Sequence, residues 1–257
     1  MKVRAYRSVC AAAIAALSLA GIAQADSVTA TLTGVSPAQI VGIHYNGNSL
    51  GSAYAGALNW QGVAGNADFT TGSFNTFCID LTQDVYIGSQ YTYSVVTDIA
   101  NASPVPLPPT APIGATGMGA VNAQQIENLY SLEYDNIAGN NDRAAAFQIA
   151  MWEMLFDTGT SHDVTTGQFS VSGASSNVIS LANGFVTEAI NSAPMQFHND
   201  ILAMVSPTYQ DQLYIGGVNT GNGPPGSPVP TPAAAFGAIP LLGGLAAFRR
   251  KKHRDAR

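Results

Sequence analysis

Residues 143–156, RAAAFQIAMWEMLF, are the stretch on which the fold turns. Their only polar members are Arg143, Gln148 and Glu153, and the apolar side chains reach every face of a helix rather than one stripe. A helix that is apolar all round must be covered all round, so this one is expected inside a core. A Gly-Asn-Asn-Asp break at 139–142 precedes it, with Asp142 the expected N-cap.

Working outward, residues 118–137 place Ile126, Leu129, Tyr130 and Ile137 on one helical face. Residues 176–191 place Ile179, Leu181, Phe185, Val186 and Ile190 on a wider one. Before these helices the period changes from helical to alternating, which predicts strands at 27–32, 39–45, 74–81 and 90–97. Asn46-Gly47-Asn48 and Ile87-Gly88-Ser89 supply the turns. Residues 102–117, ASPVPLPPTAPIGATG, form a long loop, because their prolines remove donors and their glycines favour turns. After the helices, residues 201–205 and 212–215 read as strands returning to the sheet. The expected fold is α+β over residues 26–215: an antiparallel β-sandwich or barrel with an inserted, mostly buried helical subdomain.

Both ends differ from this body. Lys2, Arg4 and Arg7 precede an apolar stretch near 9–23 that closes on Ala23-Gln24-Ala25, the pattern of a signal peptide over residues 1–25 with cleavage before Asp26. Residues 216–232, GGVNTGNGPPGSPVPTP, read as a flexible linker. Residues 233–248, AAAFGAIPLLGGLAAF, carry no charge and run directly into Arg249, Arg250, Lys251 and Lys252. The bases hold that end in the cytoplasm and the body outside. As a helix the apolar run reaches only about 24 Å, which favours a transient inner-membrane anchor over a permanent span.

Nine of the ten Lys and Arg residues lie in these terminal segments. Between residues 26 and 232, fifteen Asp and Glu face a single cation, Arg143, for a net charge near −14. No basic patch is possible there, which excludes nucleic acid as a partner. Loss of both ends would also remove every lysine and Cys10, leaving Cys78 as an exported thiol without a disulfide partner in its own chain.

Cys78 admits three readings: a small buried hydrophobe, a site for an intermolecular disulfide, or a covalent bond to something other than sulfur. Gln148, the uncharged polar residue within the apolar helix, bears on the third. A buried primary amide without partners costs a few kcal/mol. Attack by a thiolate on its carbonyl would release ammonia and leave a thioester in its place.

The segments Phe77-Cys78-Ile79-Asp80 and Phe147-Gln148-Ile149-Ala150-Met151-Trp152 resemble the Cys and Gln motifs of bacterial thioester domains, with an aromatic-Cys element on a strand and an apolar-Gln element ending in Trp on a helix. That resemblance implies a Cys78–Gln148 thioester that bonds a surface protein to an amine on its target. Phe77, Phe147 and Trp152 are then candidates to shield it from water. The other end is similar to the PEP-CTERM sorting signal of Gram-negative bacteria, through Pro230 and Pro232, the apolar run, and Arg249 and Arg250, with Thr231 where the commonest form carries Glu. This resemblance implies processing by an exosortase, after signal peptidase, and delivery to the cell surface or extracellular matrix.

No other chemistry has a matching pattern. The chain lacks a Gly-rich phosphate loop, a Gly-x-Ser-x-Gly elbow and a His/Cys cluster at metal spacing, so neither a cofactor nor a turnover enzyme is expected. The acid pairs Asp80/Asp84 and Glu127/Glu133 read as solvated surface groups rather than glycosidase carboxylates. His44, His162 and His198 read as ordinary histidines, so no base is named. Three function classes follow: a covalent adhesin or matrix cross-linker attached to an amine-bearing polymer, a noncovalent structural or carbohydrate-binding matrix protein with a free buried Cys, and an exported hydrolase without a recognisable motif.

Overall fold

The computed structural model describes residues 26–65, 72–159 and 162–216. The chain divides into two compact units, Met1–Thr220 and Gly221–Arg257, and every described residue lies in the first. The signal segment, nearly all of the linker, and the sorting tail with Pro230, Pro232, Arg249 and Arg250 lie outside the described residues.

Seven strands, β1 (Ser27–Tyr45), β2 (Asn48–Gly65), β3 (Ser73–Cys78), β4 (Gln90–Val96), β5 (Phe169–Ser172), β6 (Ile201–Val205) and β7 (Gln212–Ile215), pair antiparallel throughout. Their order is β2-β3-β7-β6-β4-β1-β5, and β1 also pairs with β2 along its length. Six strands therefore close into a ring, leaving β5 on the Gly42–Tyr45 end of β1. Of the two expected forms, the chain adopts the barrel, which removes the sheet edges that would otherwise template aggregation.

The β1–β2 hairpin turns on Asn46 and Gly47, both at positive φ (51° and 75°), the geometry a two-residue loop demands. The two strands expected at 27–32 and 39–45 are one strand. A register shift between Val35 and Ala38 absorbs Ser36-Pro37, since a bulge tolerates a residue that cannot donate to the ladder, and a second shift between Leu32 and Gly34 passes over Thr33. β2 and β5 were not expected at all. β2 is rich in Gly and Ala, whose intrinsic strand preference is low, and its pairing with β1 overrides that preference.

Three helices, α1 (Gly119–Glu133), α2 (Asn141–Phe156) and α3 (Ser176–Asn191), are inserted between β4 and β6. A 3-10 turn at Tyr134–Asn136 continues α1, which accounts for the longer helix expected there. On one side α2 packs on β1 and β2, and on the other on α1 and α3. All its residues from Ala144 to Phe156 are buried, as an all-round apolar helix requires. Its N-cap is Asn140, whose side chain accepts from Arg143 N at 3.1 Å, and not Asp142. Asp142 sits in the first turn, where its carboxylate accepts from Gln39 and Asn177 and ties α2 to β1 and α3. No helix among the described residues is long and apolar enough to cross a membrane.

Candidate functional site

Cys78 is the last residue of β3, at a place where the sheet runs short of partners. The β2–β3 ladder ends at Leu58–Thr76, so β2 offers nothing to the edge of Cys78 two residues on. The Gln148 carboxamide, projecting from mid-α2, takes that place. Cys78 N–H donates to Gln148 Oε1 at 2.9 Å, and Gln148 Nε2 donates to the Cys78 carbonyl at 2.7 Å. Both residues are buried. The strand and helix motifs, 70 positions apart, thus meet head on. The amide that the sequence left without partners has two, supplied by the backbone of the cysteine itself.

Strand alternation turns Phe77 to the opposite face from Cys78. There its ring lies 4.7 Å from that of Phe147, and Tyr130 and Tyr134 extend the cluster. These rings lock β3 against α2. Trp152 lies elsewhere, one turn beyond Gln148, where it lines a pocket together with Cys78. Its indole N–H is buried and makes no full hydrogen bond among the described residues, though it reaches the Cys78 sulfur closely enough to favour a thiolate there.

The sulfur has a defined environment. Cys78 Sγ–H donates to the Asp80 carbonyl at 3.1 Å, and Asp80 N–H points back to Sγ at 3.2 Å. Burial, and then the negative charge of Asp80, push the thiol well above its ordinary value. Asp80 N–H and the Trp152 indole act in the opposite direction by favouring the thiolate. An anion formed here is therefore costly, and the donors that ease it are already in place.

Asp80 is not the solvated acid that the sequence implied. It is buried, its two oxygens accepting from Val105 N and Asp211 N, both at 2.6 Å. Those bonds tie together the loops after β3, after β4 and before β7. Burial raises Asp80 to about 7, while burial and the charge of Asp80 raise Asp211 to about 8. Glu133 also departs from the surface reading: it is buried and paired with Arg143, whose guanidinium also lies 5.2 Å from the Phe185 ring centroid. Glu127 is half-buried and accepts from Phe197 N, whereas Asp84 is exposed as expected. Glu153, wholly buried on α2, has no partner for either oxygen among the described residues, and burial raises it to about 8.

His44 bonds to Ser172 Oγ and His198 lies against the Phe197 ring, and no histidine is among the residues that line the pocket with Cys78. No group of three His, Cys, Asp or Glu side chains among the described residues is placed to hold a metal ion. The pocket over Cys78 has a volume of about 300 Å³, and its walls come from β1, β2 and the loop 84–87. Tyr54 at this pocket carried no signal in the sequence, because β2 itself was not foreseen; Asp84, in the loop after β3, reads from the sequence only as a solvated acid, and Tyr86 near it does not stand out.

No family profile matches the chain, and no curated protein sequence does. Two solved structures are similar to it. One is the N-terminal thioester domain of a surface protein from Clostridium perfringens, at 13% identity and a TM-score of 0.36, covering 68% of this chain and 98% of that one. The other is a pilus-presented adhesin, Spy0125 (Cpa), at 10% identity and a TM-score of 0.37, covering 73% of this chain and 67% of that one. The likeness is loose at these scores, and the chemistry of this chain rests on its own residues.

Proposed function

We propose that the chain is an exported cell-surface or extracellular-matrix protein in which Cys78 and Gln148 join as an internal thioester for covalent attachment to an amine-bearing target. The observation that carries this reading is the two-point grip of the Cys78 backbone on the Gln148 carboxamide, which holds the carbonyl carbon beside the one cysteine among the described residues. As Sγ adds to Cδ, negative charge develops on Oε1, where Cys78 N–H already donates, as an oxyanion hole does. Collapse expels Nε2 as ammonia, which carries away the thiol proton. The product is one thioester, and its Oε1 can keep the same donor.

The apolar walls of the pocket keep the bond among groups that do not hydrolyse it. An amine entering there forms an amide with Gln148 and releases Cys78. Asp80 N–H and the Trp152 indole then meet the departing sulfur. Each copy reacts once, so the chain is a reagent rather than a turnover enzyme. Removal of residues 1–25 by signal peptidase and recognition of the tail by an exosortase through Pro230, Pro232, Arg249 and Arg250 would deliver it to the surface without a lysine of its own.

One observation favours the second reading, a noncovalent matrix protein with a free buried Cys. The Gln148 amide is fully partnered before any reaction, so its burial needs no covalent explanation. Intact mass of the purified body separates the two. The thioester requires a mass short by one ammonia, restored with the addition of one methylamine on treatment, and full mass in Cys78→Ala. A wild-type mass equal to the unmodified sequence and indifferent to methylamine would falsify it.

A further inference from the structure

The pocket that ends on Cys78 and Trp152 is apolar over most of its wall, with Leu32, Leu58 and Val85 among its lining, and Asp84 is its one charged group. Asp84 is exposed and makes no hydrogen bond or ion pair among the described residues. Two aromatic side chains at the same pocket, Tyr54 and Tyr86, are 51% and 66% exposed. Ile87, also in the lining, is 57% exposed. Large apolar surface left in water around a concavity marks a binding site. A lone unpaired carboxylate beside aromatic faces specifies what that site would bind.

A cation with an apolar stem satisfies each of these features. Its charge meets the carboxylate and the ring faces, and its methylenes lie along the apolar wall. Anionic ligands are repelled by Asp84 and by a body with fifteen acids against one Arg. That Arg, Arg143, is held by Glu133 and does not compete for the pocket. A guanidinium would also fit the charge, but it stays protonated and has no lone pair for acyl transfer.

Resting on the thioester reading above, we propose that this pocket binds the target as an unbranched primary alkylammonium group, with Asp84 holding the cation and Tyr54 and Tyr86 flanking its stem before the amine attacks. The ammonium gives up a proton to solvent, its lone pair adds to Gln148 Cδ, and the C–S bond breaks. The nitrogen loses a second proton as the amide forms, and the Cys78 thiolate takes up one. One amide, one thiol and one released proton balance the reaction.

The experiment follows thioester loss by intact mass against n-butylamine concentration, in wild type, Asp84→Asn and Asp84→Glu. Wild type saturates, and its half-saturation concentration rises with salt. Asp84→Asn raises that concentration roughly three- to fivefold with the limiting rate little changed, as for a partly exposed ion pair. Asp84→Glu restores most of the affinity. Hydroxylamine, uncharged at neutral pH, reacts equally with all three. Equal half-saturation in wild type and Asp84→Asn, or a rate linear in butylamine and insensitive to salt, overturns the proposal. A protein with no mass deficit would defeat the thioester reading and leave the pocket to be judged in Cys78→Ala. There n-butylammonium should shift the Trp152 indole N–H resonance, and do so more weakly after Asp84→Asn. Absence of that shift also overturns the proposal.

Discussion

A Cys78–Gln148 thioester would staple the chain across 70 residues, and the size of that effect can be worked out beforehand. Closing a loop of this length removes about 4 kcal/mol of conformational freedom from the unfolded chain. The sulfur itself is buried, and its deletion in Cys78→Ala costs a further 1 kcal/mol or so. The thioester reading therefore predicts a loss of about 5 kcal/mol in Cys78→Ala, against about 1 kcal/mol for a free thiol, out of a total of about 5–15 kcal/mol for a domain. Because such a loss could unfold the variant, methylamine supplies the cleaner perturbation. It opens the bond and leaves Cys78, Oε1 and every packed side chain in place. Urea titrations in mildly acidic, amine-free buffer should show the opened protein with a lower midpoint and a steeper slope, since its unfolded state is no longer looped and exposes more surface. Coincident curves for untreated protein and for protein whose mass has gained one methylamine would refute the staple.

Three further outcomes test the surroundings. Glu153 is raised to about 8 in the fold, so as pH climbs the unfolded chain gives up its proton first. The stability tied to neutral Glu153 is complete below about pH 4.5 and is lost as pH rises towards about 8. Glu153→Gln should flatten that slope and gain on the order of 2 kcal/mol at the alkaline end, measured by thermal melts across pH; an unchanged slope would contradict it. Asp80→Asn replaces an oxygen that accepts a backbone N–H with a donor, and should cost about 2–4 kcal/mol in urea denaturation, whereas a neutral result would mean the three loops are held otherwise. Trp152→Phe keeps the aromatic wall but deletes the indole N–H. In methylamine-opened protein it should raise the Cys78 thiol pKa and slow alkylation severalfold at fixed pH, and identical pH profiles would remove the indole from any role at the sulfur.

The helices were legible because their apolar spacing is strong: α3 runs over the expected Ser176–Asn191, and α2 begins within two residues of expectation. β6 and β7 also fall on their expected residues. What escaped was written in tertiary contacts. The Gly and Ala of β2 carry no local strand signal, and become a strand only because β1 pairs along their whole length. Small side chains are needed there: a Cβ on Gly56 would lie 2.3 Å from the Pro37 carbonyl oxygen. Losing β2 from view meant losing Ser52, Ala53, Tyr54 and Leu58 from the pocket wall. Asp80 escaped for a related reason, since the amides that bury it belong to Val105 and Asp211, far along the chain.

The buried amide of Gln148 shows how far a desolvation argument reaches. From the sequence, its burial implied an unmet cost that chemistry could relieve. In the fold that cost is met by the N–H and C=O of Cys78, so burial alone no longer argues for a bond. The location now carries the weight instead. A glutamine serving only as a structural plug could pair with any exposed strand edge, and a main-chain pair at any residue would satisfy it equally. Here the pair belongs to the one cysteine of the described body, which lines a pocket whose wall is otherwise mostly apolar, with Asp84 its one charged group. A plug predicts that Cys78→Ser and Cys78→Ala are tolerated alike with Gln148 unreacted in every form. An acyl donor predicts that wild type alone lacks one ammonia, because the sulfur is the only group there able to displace it.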